Sequence, residues 1–392
     1  MNCIETMEID RVDGNFHNNN GRLFDTKETP DDSTTGAVIC RYNGISVGVS
    51  SSCGGRQGQD DRWNAFSFVL RCCGSKKYRC TVAAVLDGHH GHGISDMVSR
   101  EIPHVLIPSI HDSIRERMGW TSNGCSEHGQ SRDGSLSIES VIDYAIQQGI
   151  RSSILELDKK SFEAYERNES ITGGTTLVIV ILVLETNMLY TGNVGDCKAV
   201  MSVRGRAEGL TECHNPPVPS EKERFEKAGV ACFSDHIGGS DINVCRTLGD
   251  YDLGPPLKWR EESDDYRYVH GPLCCMPDVA SRRLDDMDEF IVIASDGMWD
   301  YYTPESSIIT DVRRYLRRFS MGSEVEGTDF TKACRNCAEW LVDASLSRQR
   351  DVLHEGTPGD NVTVMFLQIR VLPQIPRARD SRLNLQAVKS SQ

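Results

Sequence analysis

Asp87-Gly88-His89, Asp296-Gly297 and Asp360-Asn361 each lie at one end of a short apolar run: Val82 to Leu86, Phe290 to Ala294 and Val362 to Ile369. Runs this short, built from Val, Ile, Phe and Leu, read as buried strands. A carboxylate just beyond a buried strand sits at a sheet rim, where strands distant in sequence can bring their ends together. Several carboxylates meeting there repel one another unless a cation offsets them, because unpaired buried charge is expensive. Oxygen donors without clustered Cys or His favour a hard divalent ion, Mg²⁺ or Mn²⁺ over Zn²⁺. The pattern is that of a metal enzyme.

The elements that must position these groups follow from apolar spacing. Ile94, Met97, Val98, Ile102, Val105 and Leu106 recur at helical intervals, and Pro103 among them predicts a kink. Ile138, Val141, Ile142, Ala145 and Ile146 predict a second amphipathic helix continuing towards Phe162. Residues 119–137, rich in Gly and Ser, read as a mobile surface insert between the two. Leu177 to Leu184 and Met188 to Thr191 predict strands. The turn Asn193-Val194-Gly195-Asp196 and a third strand, Lys198 to Val203, follow, as in an antiparallel hairpin or meander. Ser220 and Glu223 have capping-box spacing for a short helix ended by Gly229. Two late helices carry Ile308, Ile309, Val312, Leu316 and Phe319, and then Phe330, Ala333, Cys334, Cys337, Ala338 and Leu341. Meanders with separate helix pairs predict an α+β fold of antiparallel sheets covered by helices. The expected organisation is a flexible polar leader over 1–37, one catalytic domain over 38–372 and a basic tail over 373–392.

Composition narrows the class. The 392 residues are 38% hydrophobic and 26% charged, enough apolar material for a substantial core. A net charge of −14 argues against nucleic-acid binding, which calls for a basic face. The 15 cysteines are scattered, and Met1-Asn2-Cys3-Ile4-Glu5 has no secretory character, so reduced thiols and a cytoplasmic or nuclear location are expected. Leu177 to Leu184, the longest apolar run, is too short to span a bilayer. Cys334 and Cys337 share the apolar stripe of a helix and read as core, while His90 and His92 read as exposed loop residues. A structural Ca²⁺ loop would alternate Asp and Asn as in an EF-hand, and the chain has no such loop.

Eight motifs in order resemble the metal-dependent protein phosphatases of type 2C. They are Arg56-Gln57-Gly58-Gln59-Asp60-Asp61, Val85-Leu86-Asp87-Gly88-His89-His90-Gly91, Gly173-Gly174-Thr175-Thr176 and Asn193-Val194-Gly195-Asp196-Cys197-Lys198-Ala199. Leu210-Thr211-Glu212-Cys213-His214-Asn215-Pro216 follows, then Val244-Cys245-Arg246-Thr247-Leu248-Gly249-Asp250, Ala294-Ser295-Asp296-Gly297-Met298-Trp299-Asp300 and Gly359-Asp360-Asn361. The resemblance implies a β-sandwich of two antiparallel sheets flanked by helices, in four layers α-β-β-α. It implies hydrolysis of phosphoserine and phosphothreonine in a phosphoprotein substrate by water activated between two Mg²⁺ or Mn²⁺ ions.

By the same resemblance Asp87 bridges both metals, Asp296 and Asp360 complete one site, and Asp60 with the Gly88 carbonyl serves the other. Asp196, with Asp296, matches a weaker third metal site, and Asp61 an acid that holds metal-bound water. Six carboxylates then carry six negative charges, of which two divalent cations would offset four. Arg56 is the expected phosphate clamp, since its fork matches two phosphate oxygens. His89 is the expected general acid for the departing alkoxide. The chain departs from the family pattern where Asp60 stands for the usual glutamate, His90 for a glycine and Cys197 for a serine, and where Glu212-Cys213 replaces the commoner residues before His214. Substrate choice is expected in a flap over 214–250 and in the loop over 251–272, in a monomer. The alternative is a pseudophosphatase that keeps the fold and docks a signalling partner.

Overall fold

A computed structural model describes residues 9–12, 45–71, 76–121, 124–125, 137–168, 171–233, 236–238, 240–253, 259–262, 267–321, 330–354 and 356–369. Most of the expected leader, insert and tail lies outside these residues, as does part of the flap and of the loop after it. Strands and helices are numbered along the chain. The first sheet has the order β1 (Ile9–Val12), β3 (Arg62–Arg71), β4 (Lys77–Leu86), β9 (Leu177–Val183), β10 (Met188–Val194), β16 (Asp278–Arg283). The second has the order β12 (Arg206–Gly209), β11 (Lys198–Val203), β17 (Asp288–Ala294), β18 (Val362–Gln368), β2 (Ser46–Ser52). Every pairing in both is antiparallel.

Alternation along each strand assigns side chains to layers. In β4, Ala83 and Val85 point into a core shared with Val47, Val49, Ile291, Ile293, Met365 and Leu367 of the second sheet. Cys80, Val82, Ala84 and Leu86 point the other way, onto α1 (Gly93–Arg117) and α2 (Ile138–Arg167). The outer face of the second sheet, with Val292, Val364 and Phe366, packs on α5 (Glu305–Met321) and α6 (Phe330–Val352). The architecture is therefore the expected four-layer α-β-β-α sandwich. Strands buried on both faces read as continuous apolar runs, which is why they are conspicuous in the sequence. Cys334 and Cys337 lie fully buried in the outer core, where they pack as small apolar groups. Among the described residues no helix is long and apolar enough to cross a membrane.

Three expectations change. Part of the polar leader, Ile9–Val12, adds an edge strand to β3, with Ile9 opposite Leu70. The turn Asn193–Asp196 does not continue a meander: β9 and β10 pair in the first sheet, and β11 crosses into the second. Ser220 caps nothing, because Pro219 occupies the first turn of α3 (Pro219–Lys227), Val218 is its N-cap, and Glu223 pairs with Lys227 at 2.7 Å.

Helices α1 and α2 meet closely at Gly149. A Cβ there would lie 2.4 Å from Ile110 Cγ1 and 2.8 Å from its Cα, so the absence of a side chain sets their separation. Gly149→Ala would gain helix propensity of about 1 kcal/mol but overpack the contact by roughly 1–3 kcal/mol. The expected result is a lower midpoint in urea with an unchanged slope; a higher midpoint would show that the helices part freely.

Candidate active site

The crossing from one sheet to the other makes a rim where strand ends from both meet. Asp87 follows β4, Asp196 follows β10, and Asp296 follows β17 as the first residue of the four-residue helix α4 (Asp296–Trp299). One ligand oxygen from each lies within 4.8 Å of the others. The Asp296 amide donates to Asp87 Oδ2 at 3.4 Å. Behind them, Asp61 is buried; its Oδ2 accepts from Ser295 Oγ at 2.8 Å, and its Oδ1 has no hydrogen-bond partner among the described residues.

These carboxylates are electrostatically unsatisfied by the protein alone. Burial, reinforced by neighbouring carboxylates, pushes Asp87 and Asp296 well above the usual carboxylate range. Burial pushes Asp61 up to about 7 and also raises Asp196, although Asn215 Nδ2 donates to Asp196 Oδ2 at 2.9 Å. Oxygen donors with repelling charges and an orphaned buried oxygen fit one or more hard divalent cations.

The remaining expected ligands frame this group. Asp360 precedes β18, its Oδ1 accepting from the Asn361 amide at 2.8 Å and from Arg56 at 2.9 Å. Arg56 is thus at the site's edge, half exposed and held by Asp360. Asn361 staples the loop that carries Arg56 and Asp60. Its Oδ1 accepts from the Asp60 amide at 2.8 Å, and its Nδ2 donates to the Cys53 and Gly58 carbonyls at 2.9 and 3.0 Å. The Asp60 carboxylate is partly exposed and stands outside the three-carboxylate group, with His92 Nδ1 3.8 Å from it. Two glycines are dictated by backbone approach. A Cβ on Gly88 would lie 2.3 Å from the Asp60 carbonyl, and one on Gly297 1.9 Å from the Asn361 carbonyl.

His89 enters through a three-stranded ladder of β13 (Leu248–Gly249), β8 (Gly174–Thr175) and β5 (Gly88–His89). Its Nε2 lies 3.0 Å from both oxygens of Asp250. A Cβ on Gly174 would lie 2.3 Å from Asp250 Oδ2, and one on Gly173 2.4 Å from the His89 carbonyl, so the Gly-Gly pair is what admits this contact. The short hairpins β6 (Trp120–Thr121) with β7 (Gly124–Cys125), and β14 (Trp259–Glu262) with β15 (Arg267–His270), lie elsewhere in the topology.

The flap base is an ion network. Glu221 accepts from Arg246 Nη2 at 2.6 Å and from Arg224 at 2.5 Å; burial would raise its pKa, but these bonds hold it below the usual range. His214 Nδ1 accepts from the Gly195 amide at 3.0 Å, so its Nε2 carries the proton and donates to Asp278 Oδ2 at 3.1 Å. Burial and Arg246 keep this imidazole neutral by lowering its pKa. His214 and Asn215 together fix the turn that presents Asp196.

Residues 45–340, well over half of the chain, match the family model described as Protein phosphatase 2C. The chain belongs to the protein phosphatase 2C family. It is similar to "Probable protein phosphatase 2C 22" of Arabidopsis thaliana, 31% identical over 241 residues, 60% of this chain and 54% of that one. It is also similar to "Protein phosphatase 1B" of Homo sapiens, 26% identical over 364 residues, 91% of this chain and 63% of that one. The chain thus spans about half the length of the plant relatives it matches. The crystal structure of serine-threonine phosphatase 2C from Toxoplasma gondii shares the fold, with a TM-score of 0.58 at 20% identity, over 85% of this chain and 97% of that one.

Protein phosphatase 2C enzymes are metal-dependent, and the acidic rim is a group that can hold metal. The family match ends before Asp360, which the structure sets beside Asp61, Asp87 and Asp296 as the sequence led one to expect. Two further residues matter that the motifs quoted but gave no role. Asp250 partners His89 from 161 residues away. Cys197 Sγ accepts from Thr176 Oγ1 at 3.1 Å. His90 and His92 are exposed, as expected.

Proposed function

We propose that the chain is a Mg²⁺- or Mn²⁺-dependent phosphatase acting on phosphoserine and phosphothreonine in proteins. The observation that carries this reading is the meeting of Asp87, Asp196 and Asp296 beside a buried Asp61 with an unpartnered oxygen. Asp87, Asp296 and Asp360 would hold one cation. Asp87, Asp60 and the Gly88 carbonyl would hold a second, and Asp196 with Asp296 a weaker third. Asp61 would hold water from behind. Bound cations of this kind neutralise phosphate charge and lower the pKa of water.

The chain's own side chains supply orientation and a proton. Arg56, poised by Asp360, offers its guanidinium fork to two phosphate oxygens at the rim. His89 donates a proton to the departing seryl or threonyl oxygen, and Asp250 fixes its ring and favours the imidazolium. Asn361 holds the loop of Arg56 and Asp60 in register with Asp360. The flap over 214–250, anchored on Glu221 and Arg246, governs which phosphoprotein enters, and the chain works as a monomer in the cytoplasm or nucleus.

The test is the full chain with Mn²⁺ and one peptide carrying phosphothreonine, phosphoserine or phosphotyrosine in turn. Phosphate release from the first two and little from the third is expected. Silence with all three would replace the enzyme by a pseudophosphatase that docks a partner.

A further inference from the structure

We propose that His89, His90 and Asp250 form a separate inhibitory site for a borderline-soft cation such as Zn²⁺. Three observations carry it. One ligand atom from each residue lies within 4.8 Å of the others, in a group distinct from the carboxylate rim. Second, His89 Nε2 is already 3.0 Å from the Asp250 oxygens, whereas two tetrahedral ligands each about 2.1 Å from one zinc ion stand about 3.4 Å apart. The pair needs to open by only a few tenths of an ångström.

The third observation is backbone conformation. His90 and Asp250 have φ of 56° and 55°, two of the four non-glycine residues with positive φ among those described. That conformation is disfavoured for residues with a Cβ and persists where the surroundings over-determine it. Here Gly173 and Gly174 bring the loop and Asp250 into close contact, so the donors are assembled before any ion arrives. Access is graded: the Asp250 side chain is 1% exposed, His89 23% and His90 45%. The buried Asp250 closes the group on one side and the exposed His90 opens it on the other, with the exposed Asp241 carboxylate 3.2 Å from His90 Nε2.

Two imidazoles and one carboxylate are a common zinc donor set, whereas Mg²⁺ and Mn²⁺ favour the all-oxygen rim. The two sites therefore sort cations by donor chemistry. A zinc ion on His89 Nε2 takes a lone pair that must be protonated for the ring to be an imidazolium, so occupation silences a general acid. That consequence rests on the phosphatase reading; the binding does not.

The experiment is Zn²⁺ binding to the full chain by calorimetry at two Mg²⁺ concentrations, tenfold apart and both saturating, with wild type and His90→Gly. Glycine suits the left-handed backbone at this position, so the variant is expected to fold and to keep its Mg²⁺-supported activity. The proposal predicts one equivalent of Zn²⁺ whose affinity is the same at both Mg²⁺ levels and falls at least tenfold in the variant. Inhibition of turnover by Zn²⁺ should weaken by the same factor. Affinity that drops as Mg²⁺ rises would put zinc on the carboxylate rim and overturn the proposal. Unchanged affinity in His90→Gly, or no binding, would overturn it as well. Because binding is read by heat, an inactive chain would sink the phosphatase reading without touching this one.

Discussion

An Asp87→Asn chain releases phosphate from a phosphothreonine peptide at least ~1,000-fold more slowly than wild type, a loss of about 4 kcal/mol in transition-state stabilisation. Asparagine keeps the shape of the side chain and an acceptor for the Asp296 amide, so the fold should survive. What goes is one negative charge at the point where both cations would be held. The same change should stabilise the metal-free protein. Asp87 and Asp296 are raised well above the usual range, and Asp61 to about 7, by burial and mutual repulsion. A carboxyl with a raised folded pKa binds more protons folded than unfolded, so stability falls as pH rises from about 4 to the folded value. Metal-free wild type should therefore be more stable at pH 6 than at pH 8, and the difference should shrink with Mn²⁺ and in Asp87→Asn. Thermal melts at the two pH values check this. A metal-free chain equally stable at both would mean that the carboxylates are not in conflict.

His89→Gln should lower kcat for a phosphothreonine peptide by roughly 10²–10⁴, the usual worth of a positioned general acid. For p-nitrophenyl phosphate the loss should be much smaller, because its leaving group is a weak base that departs without a proton. The contrast separates proton donation from mere damage to the site, which would slow both substrates alike. Asp250→Asn should show the same contrast more weakly, since asparagine still orients the ring but lacks the charge that favours imidazolium. Equal losses on the two substrates in His89→Gln would remove His89 from the acid role.

Strand ends and their carboxylates were legible because buried strands are apolar on both faces and stop abruptly at Asp-Gly. The α1 and α2 helices were legible for the same reason, through Ile94, Val98, Ile102 and Val141, Ile142, Ala145 facing one core. What stayed hidden has common causes. Asn193–Asp196 reads as a turn whether it closes a hairpin or crosses between sheets, since a turn motif records local dihedrals and not the partner strand. Ile9–Val12 pairs over four residues, too few for alternation to show. Ser220 and Glu223 had capping-box spacing, but Pro219 fixes the helix start two residues earlier. The partnership of His89 with Asp250 depends on a ladder of two-residue strands and on two glycines without side chains, features that leave almost no apolar pattern.

The central claim is that the rim built on Asp87 holds divalent cations. Equilibrium dialysis of Mn²⁺ against the purified chain, freed of metal by chelator, measures this most directly. The account predicts two ions per chain in wild type, with a weaker third at high concentration, and loss of the tight pair in Asp87→Asn. The same number of tightly bound ions in wild type and Asp87→Asn, or none in wild type, would contradict it.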